Sequence, residues 1–185
     1  MKQNKFIKSD ALLKLEQLVD SWTDIEHTEL IDSFLKEYVY LFTQLAPNRL
    51  YGDRDKYFKK YNLINPVNFL DKINYIKSIL GADNYEYIND YKFEFTPEIV
   101  TNIFDMFEKN DNSFVLFKKT GNYKELSSLF IRISNSFNHN NYIFINDRLF
   151  MWNQHGGKLF ALFHLRIADF ESIVKCIESC CVNTA

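Results

Sequence analysis

Apolar residues recur at helical spacing over most of the chain. Behind Ser9, a suitable N-cap, come Leu12, Leu13, Leu15, Leu18, Val19 and Trp22. A stronger signal runs from Glu29 to Gln44, where Leu30, Ile31, Phe34, Leu35, Tyr38, Leu41 and Phe42 form one stripe and Pro47 ends it. A third helix is predicted from Asn65-Pro66, a cap followed by an N1 proline, through Phe69, Leu70, Ile73, Ile76 and Leu80 to Gly81. Thr96-Pro97-Glu98 repeats that start ahead of Ile99, Val100, Ile103, Phe104 and Phe107. A fifth helix begins near Asn122, and a last one begins at Asp169 with Phe170, Ile173, Val174 and Ile177.

Between the last two helices the period changes. "YIFI-ND-RLFMW" is a pair of β-prone runs about Asn146-Asp147, a two-residue hairpin signal. "HGG" at 155–157 makes a second turn, and "KLFALFHLRI" supplies a third strand. The expected architecture is mainly α: one domain over 1–185, a bundle of about six helices, with a small antiparallel β meander at about 142–167 inserted before the C-terminal helix. The acidic and aromatic stretch "ADNYEYINDYKFEF" at 82–95 is expected to be a surface loop anchored by its tyrosines.

Composition sharpens this in three respects. Five glycines and three prolines in 185 residues leave few tight turns, which favours helices over a sandwich of short strands. A net charge of −2 exerts no general pull on polyanions, so any nucleic-acid site has to be local. The cysteines Cys176, Cys180 and Cys181 cluster in one segment and suit buried small side chains in a reducing compartment better than a disulfide framework. The N-terminus lacks the apolar run of a signal peptide, and no stretch is apolar enough to span a membrane. The expectation is a cytoplasmic protein with no metal, no cofactor and no membrane partner.

The candidate chemistry lies in "FIRISNSFNHNNYIFINDRLFMWN" at 130–153, where Arg132 and His139 stand seven positions apart. On a helical wheel both fall on the side away from the stripe of Leu126, Leu129, Phe130, Ile133 and Phe137, at roughly 240° and 220° from Leu126, with Cα atoms about 10 Å apart. Ser128 and Asn135 share that side. An imidazole that moves a proton near neutral pH and a guanidinium that grips phosphate oxygens suit phosphodiester cleavage. The competing reading is an ordinary solvated helix face.

A late helix carrying Arg-x(6)-His, followed by "HNNYIFINDRLFMW", resembles the HEPN superfamily over residues 123–182. Its signature is an arginine, four to six residues, then a histidine. In its commoner members the arginine lies five positions before the histidine, a place held here by Ser134, with Asn135 next. The resemblance implies a metal-independent endoribonuclease of the toxin or phage-defence kind. Such an enzyme cleaves single-stranded RNA to 2′,3′-cyclic phosphate and 5′-hydroxyl ends. It implies His139 as acid or base, Arg132 as stabiliser of the phosphorane, and Ser128, Asn135 and Asn138 as substrate contacts. A homodimer and an antitoxin or sensor protein follow as partners. The alternative is a non-catalytic module of the same kind that binds RNA, a nucleotide or a protein.

Other stretches are weaker. "NRLYGDRDKYFKKYN" at 48–62 interleaves basic and aromatic residues and suits an amphipathic helix better than a nucleic-acid track. His27 lies beside Glu26 with no second ligand at metal spacing, and neither His155 nor His164 has a partner identifiable in sequence.

Overall fold

The computed structural model describes residues 7–21, 69–109 and 112–178. They form helices α1 (Asp10–Asp20), α2 (Phe69–Leu80), α3 (Pro97–Glu108), α4 (Glu125–Asn138) and α5 (Ile167–Glu178). The strands are β1 (Tyr85–Ile88), β2 (Phe114–Lys118), β3 (Tyr142–Ile145), β4 (Arg148–His155) and β5 (Lys158–Arg166). The predicted helix at 29–44, the helix start at Asn65-Pro66, the stretch 48–62, His27, Cys180 and Cys181 lie outside the described residues.

The strands make one sheet in the order β1-β2-β5-β4-β3, with β1 parallel to β2 and every other pair antiparallel. This corrects the expectation of a mainly α helical bundle: the fold is α/β. The meander at 142–166 supplies three of the five strands, and two more extend it on the β5 side. Those two were hidden for a physical reason. β2 is a short unbroken apolar run, "FVLF", which periodicity cannot tell from buried helix, and β1 lies within the stretch expected to be a loop.

Helices cover both faces. Val115 and Phe117 of β2, Leu149 and Met151 of β4, and Ala161, Phe163 and Leu165 of β5 pack with α2, α4 and α5. The intervening Leu116, Phe150 and Leu162 pack with α1 and α3. The two-residue period of a strand thus feeds two cores, which is why β5 reads as a nearly continuous apolar run. Ser9 caps α1 by accepting from the Leu12 N–H at 3.3 Å, and Thr96 caps α3 by accepting from the Ile99 N–H at 3.4 Å. No described helix is long and apolar enough to cross a membrane.

Candidate functional site

The end of α4 sets the site. The N–H of Asn140 donates to Phe137 O at 3.1 Å and that of Asn141 to Ser136 O at 2.8 Å, while Asn140 adopts φ +54°. This is the Schellman arrangement with asparagine in the left-handed position that glycine usually takes. It stops the helix at Asn138, leaves His139 as an exposed C-cap, and turns Asn141 inward, where its carbonyl accepts from the Trp152 N–H at 3.1 Å. "HNN" is therefore a helix stop as well as part of a motif.

Arg132 points elsewhere. It is 7% exposed, and its guanidinium donates from Nε to Lys118 O at 3.2 Å, from Nη2 to Lys119 O at 3.2 Å and from Nη1 to Asn153 Oδ1 at 2.8 Å. Its Cζ stands 4.6 Å from the centroid of the Phe160 ring. Each nitrogen is thereby engaged in joining α4 to the end of β2 and to β4. Ser128, fully buried, accepts from the Thr120 N–H at 3.1 Å and holds the turn between β2 and α4. Asn135 is half-buried, and its carbonyl accepts from the His139 N–H at 3.2 Å. Asn138 keeps a buried Nδ2 without a hydrogen-bond partner. Ser134, at the commoner arginine position, is fully buried.

His139 opens onto an open cavity of about 500 Å³ whose lining also includes Lys8, Glu16, Asn141, Gln154, His155 and the Gly156-Gly157 turn. Arg132 is absent from that lining. Two residues of the lining hold unsatisfied polar atoms: Asn141 is 7% exposed, and its Nδ2 and the buried Gln154 Oε1 both lack a hydrogen-bond partner. Lys8 donates to both Glu16 carboxylate oxygens at 2.7 Å across the exposed rim.

The N-terminal segment reaches the cavity because the Ser9 N–H donates to Gly157 O at 2.8 Å. Gly157 has φ +81°, and a Cβ there would stand 2.5 Å from Ile7 O, so only glycine admits this approach. Lys8, Asn141, Gln154 and His155 thus form a constellation that sequence reading did not assemble. The "HGG" turn was its one local signal; the rest depends on α1 docking over it. Of the other candidates, His164 is fully buried with its ring 5.5 Å from that of Phe107. Cys176 is buried with Sγ 3.8 Å from Lys72 O. Among the described residues no three His, Cys, Asp or Glu side chains gather as a metal site.

No family model matches the chain, and neither a curated protein nor a solved structure matches it.

Proposed function

We propose that this chain binds the phosphodiester backbone of single-stranded RNA in the His139 cavity, as a non-catalytic HEPN-like module. The observation that carries the reading is the division of labour just described. Arg132 spends its donors inside the fold, while His139, His155 and the unpartnered Asn141 amide line one open cavity, beside the Lys8–Glu16 ion pair. The local order of α4, His139, a β meander and a closing helix supports the same reading. Flexible single strands fit such a cavity better than duplex, whose phosphates are held in fixed helical geometry. A symmetric homodimer is the assembly proposed with it, and light scattering tests for it.

A second reading, metal-independent cleavage, is favoured by one observation: two imidazoles border the same cavity. In that reaction one imidazole takes the proton of the 2′-hydroxyl as its oxygen attacks phosphorus. The other gives a proton to the departing 5′-oxygen, leaving a 2′,3′-cyclic phosphate and a 5′-hydroxyl.

Incubating labelled single-stranded RNA with the protein in EDTA separates the two. The module predicts retention of intact RNA, with affinity falling roughly tenfold in His139→Ala, the usual scale for a charged hydrogen bond. Cleavage abolished by His139→Ala or His155→Ala establishes the second reading instead. RNA that neither binds nor is cut sinks both.

A further inference from the structure

A second cavity, of about 220 Å³, lies beside the first. Its walls include Tyr91, Phe93 and Phe160, with Lys118, Lys158 and Glu94 among them. The loop between β1 and α3 forms one wall and is fastened by Lys118, whose Nζ donates to the carbonyls of Tyr91 and Phe93. Tyr91 is nonetheless 83% exposed, a large aromatic side chain left in water on an otherwise anchored loop.

The charge around this cavity is lopsided. Lys158 is paired with Glu94 at 2.8 Å, while Lys118 forms no ion pair of its own among the described residues, so two lysines face one carboxylate in the lining, and Arg132 sits over the Phe160 ring. Lys118 Nζ stands 5.8 Å from the same ring centroid. Burial, with the positive charges of Arg132 and Lys158, pushes the Lys118 amine below the ordinary lysine range, while Glu94 and Asp90 oppose that. Aromatic faces combined with surplus positive charge match a ligand that is both planar and anionic. The volume is below that of the usual small-molecule pocket and suits one planar base.

The two cavities meet at two points of the backbone. Lys8 lines the first and Ser9 the second; Gly157 lines the first and Lys158 the second. Their rims are thus separated by single peptide links, each about 3.8 Å between Cα atoms. We infer that the Tyr91–Phe93–Phe160 cavity is a nucleotide subsite, stacking one base of the RNA strand whose phosphate lies in the His139 cavity. The inference rests on the RNA reading above and adds to it the place where a base is held.

The test compares a fluorescein-labelled octauridylate with an abasic ribose-phosphate oligomer of equal length, by anisotropy on the full chain. Tyr91→Ala is expected to weaken the octauridylate roughly tenfold, the scale of one base–aromatic stack, and to leave the abasic oligomer unchanged. Tyr91→Phe retains affinity. Tight binding of both oligomers with no effect of Tyr91→Ala overturns the subsite while leaving the RNA reading standing. Equal loss for both oligomers in Tyr91→Ala also overturns it, because stacking cannot act on a strand without bases. Binding of neither oligomer by the wild-type chain overturns both readings, and an acidic aromatic peptide that binds in their place assigns the cavity to a protein partner.

Discussion

Replacing Arg132 with alanine tests whether this residue belongs to the fold or to the ligand. Its loss leaves Asn153 Oδ1, on a residue only 2% exposed, without its 2.8 Å donor, at a cost of about 1–3 kcal/mol. The carbonyls of Lys118 and Lys119 lose charge-assisted donors at 3.2 Å, but water at the part-buried end of β2 replaces some of that. The guanidinium over Phe160, 4.6 Å from its centroid, adds about 1 kcal/mol. The sum is about 4 kcal/mol, which for a chain of this size corresponds to about 12 °C in Tm. Urea denaturation followed by tryptophan fluorescence measures it. Arg132→Lys recovers less than half, because one ammonium cannot serve acceptors arranged for a planar fork. An alanine variant within about 0.5 kcal/mol of wild type, the range of an ordinary surface change, that had nevertheless lost RNA affinity would refute this reasoning. Arg132 would then be a ligand contact and the clamp an energetic irrelevance.

Two further outcomes follow from local geometry. Gly157→Ala places a Cβ 2.5 Å from Ile7 O at φ +81°, so it is expected to destabilise by about 2 kcal/mol and to release the N-terminal segment first; limited proteolysis should show cleavage near Ser9 before the sheet is lost. Burial foremost, then the negative charge of Glu125, raises the Tyr85 phenol well above the ordinary tyrosine range. The native state therefore holds that proton longer than the unfolded chain does. The resulting stabilisation is complete below about pH 10 and is lost as pH rises beyond it toward the native value. Tyr85→Phe, which keeps the ring against Phe117, should flatten that alkaline decline in a pH series of urea midpoints.

What the sequence made legible were the elements with local causes. The Ser9 and Thr96 caps, the apolar stripes of α1 and α3, and the turns at 146–147 and 156–157 each depend on neighbouring residues. β1 and β2 could not be read this way, since their pairing partners lie elsewhere in the chain: Tyr85 meets Val115, and Val115 meets Phe163. The wheel of α4 misled for a related reason. It assumes a polar side facing water, but Ser128, Arg132 and Ser136 on that side are all buried. Serines recurring on that side were the available signal, because small hydroxyls fit where a helix is covered all round. Ser136 shows this by returning its hydroxyl to Arg132 O at 3.0 Å.

The relation between Arg132 and His139 depends on where α4 stops. His139, the C-cap, still donates its N–H to Asn135 O at 3.2 Å. The turn at Asn140, however, ends the helix there in the open while Arg132 lies where the helix is covered, so an angular match near 230° does not bring the two side chains to one surface. Arg132, two turns earlier, is committed to the end of β2 and to β4 by Lys118, Lys119 and Asn153. The alternative arginine position fares no better, since Ser134 is fully buried and a guanidinium there would enter the core. Neither spacing delivers a cation from α4 to the His139 cavity. The cation at that cavity is instead Lys8, which is paired there with Glu16, and it stands with His155 around the turn where Gly157 lets the N-terminal segment approach. The helix motif supplies one imidazole; the remaining groups are assembled by tertiary contacts, so the chemistry of the site depends on α1 docking as much as on α4.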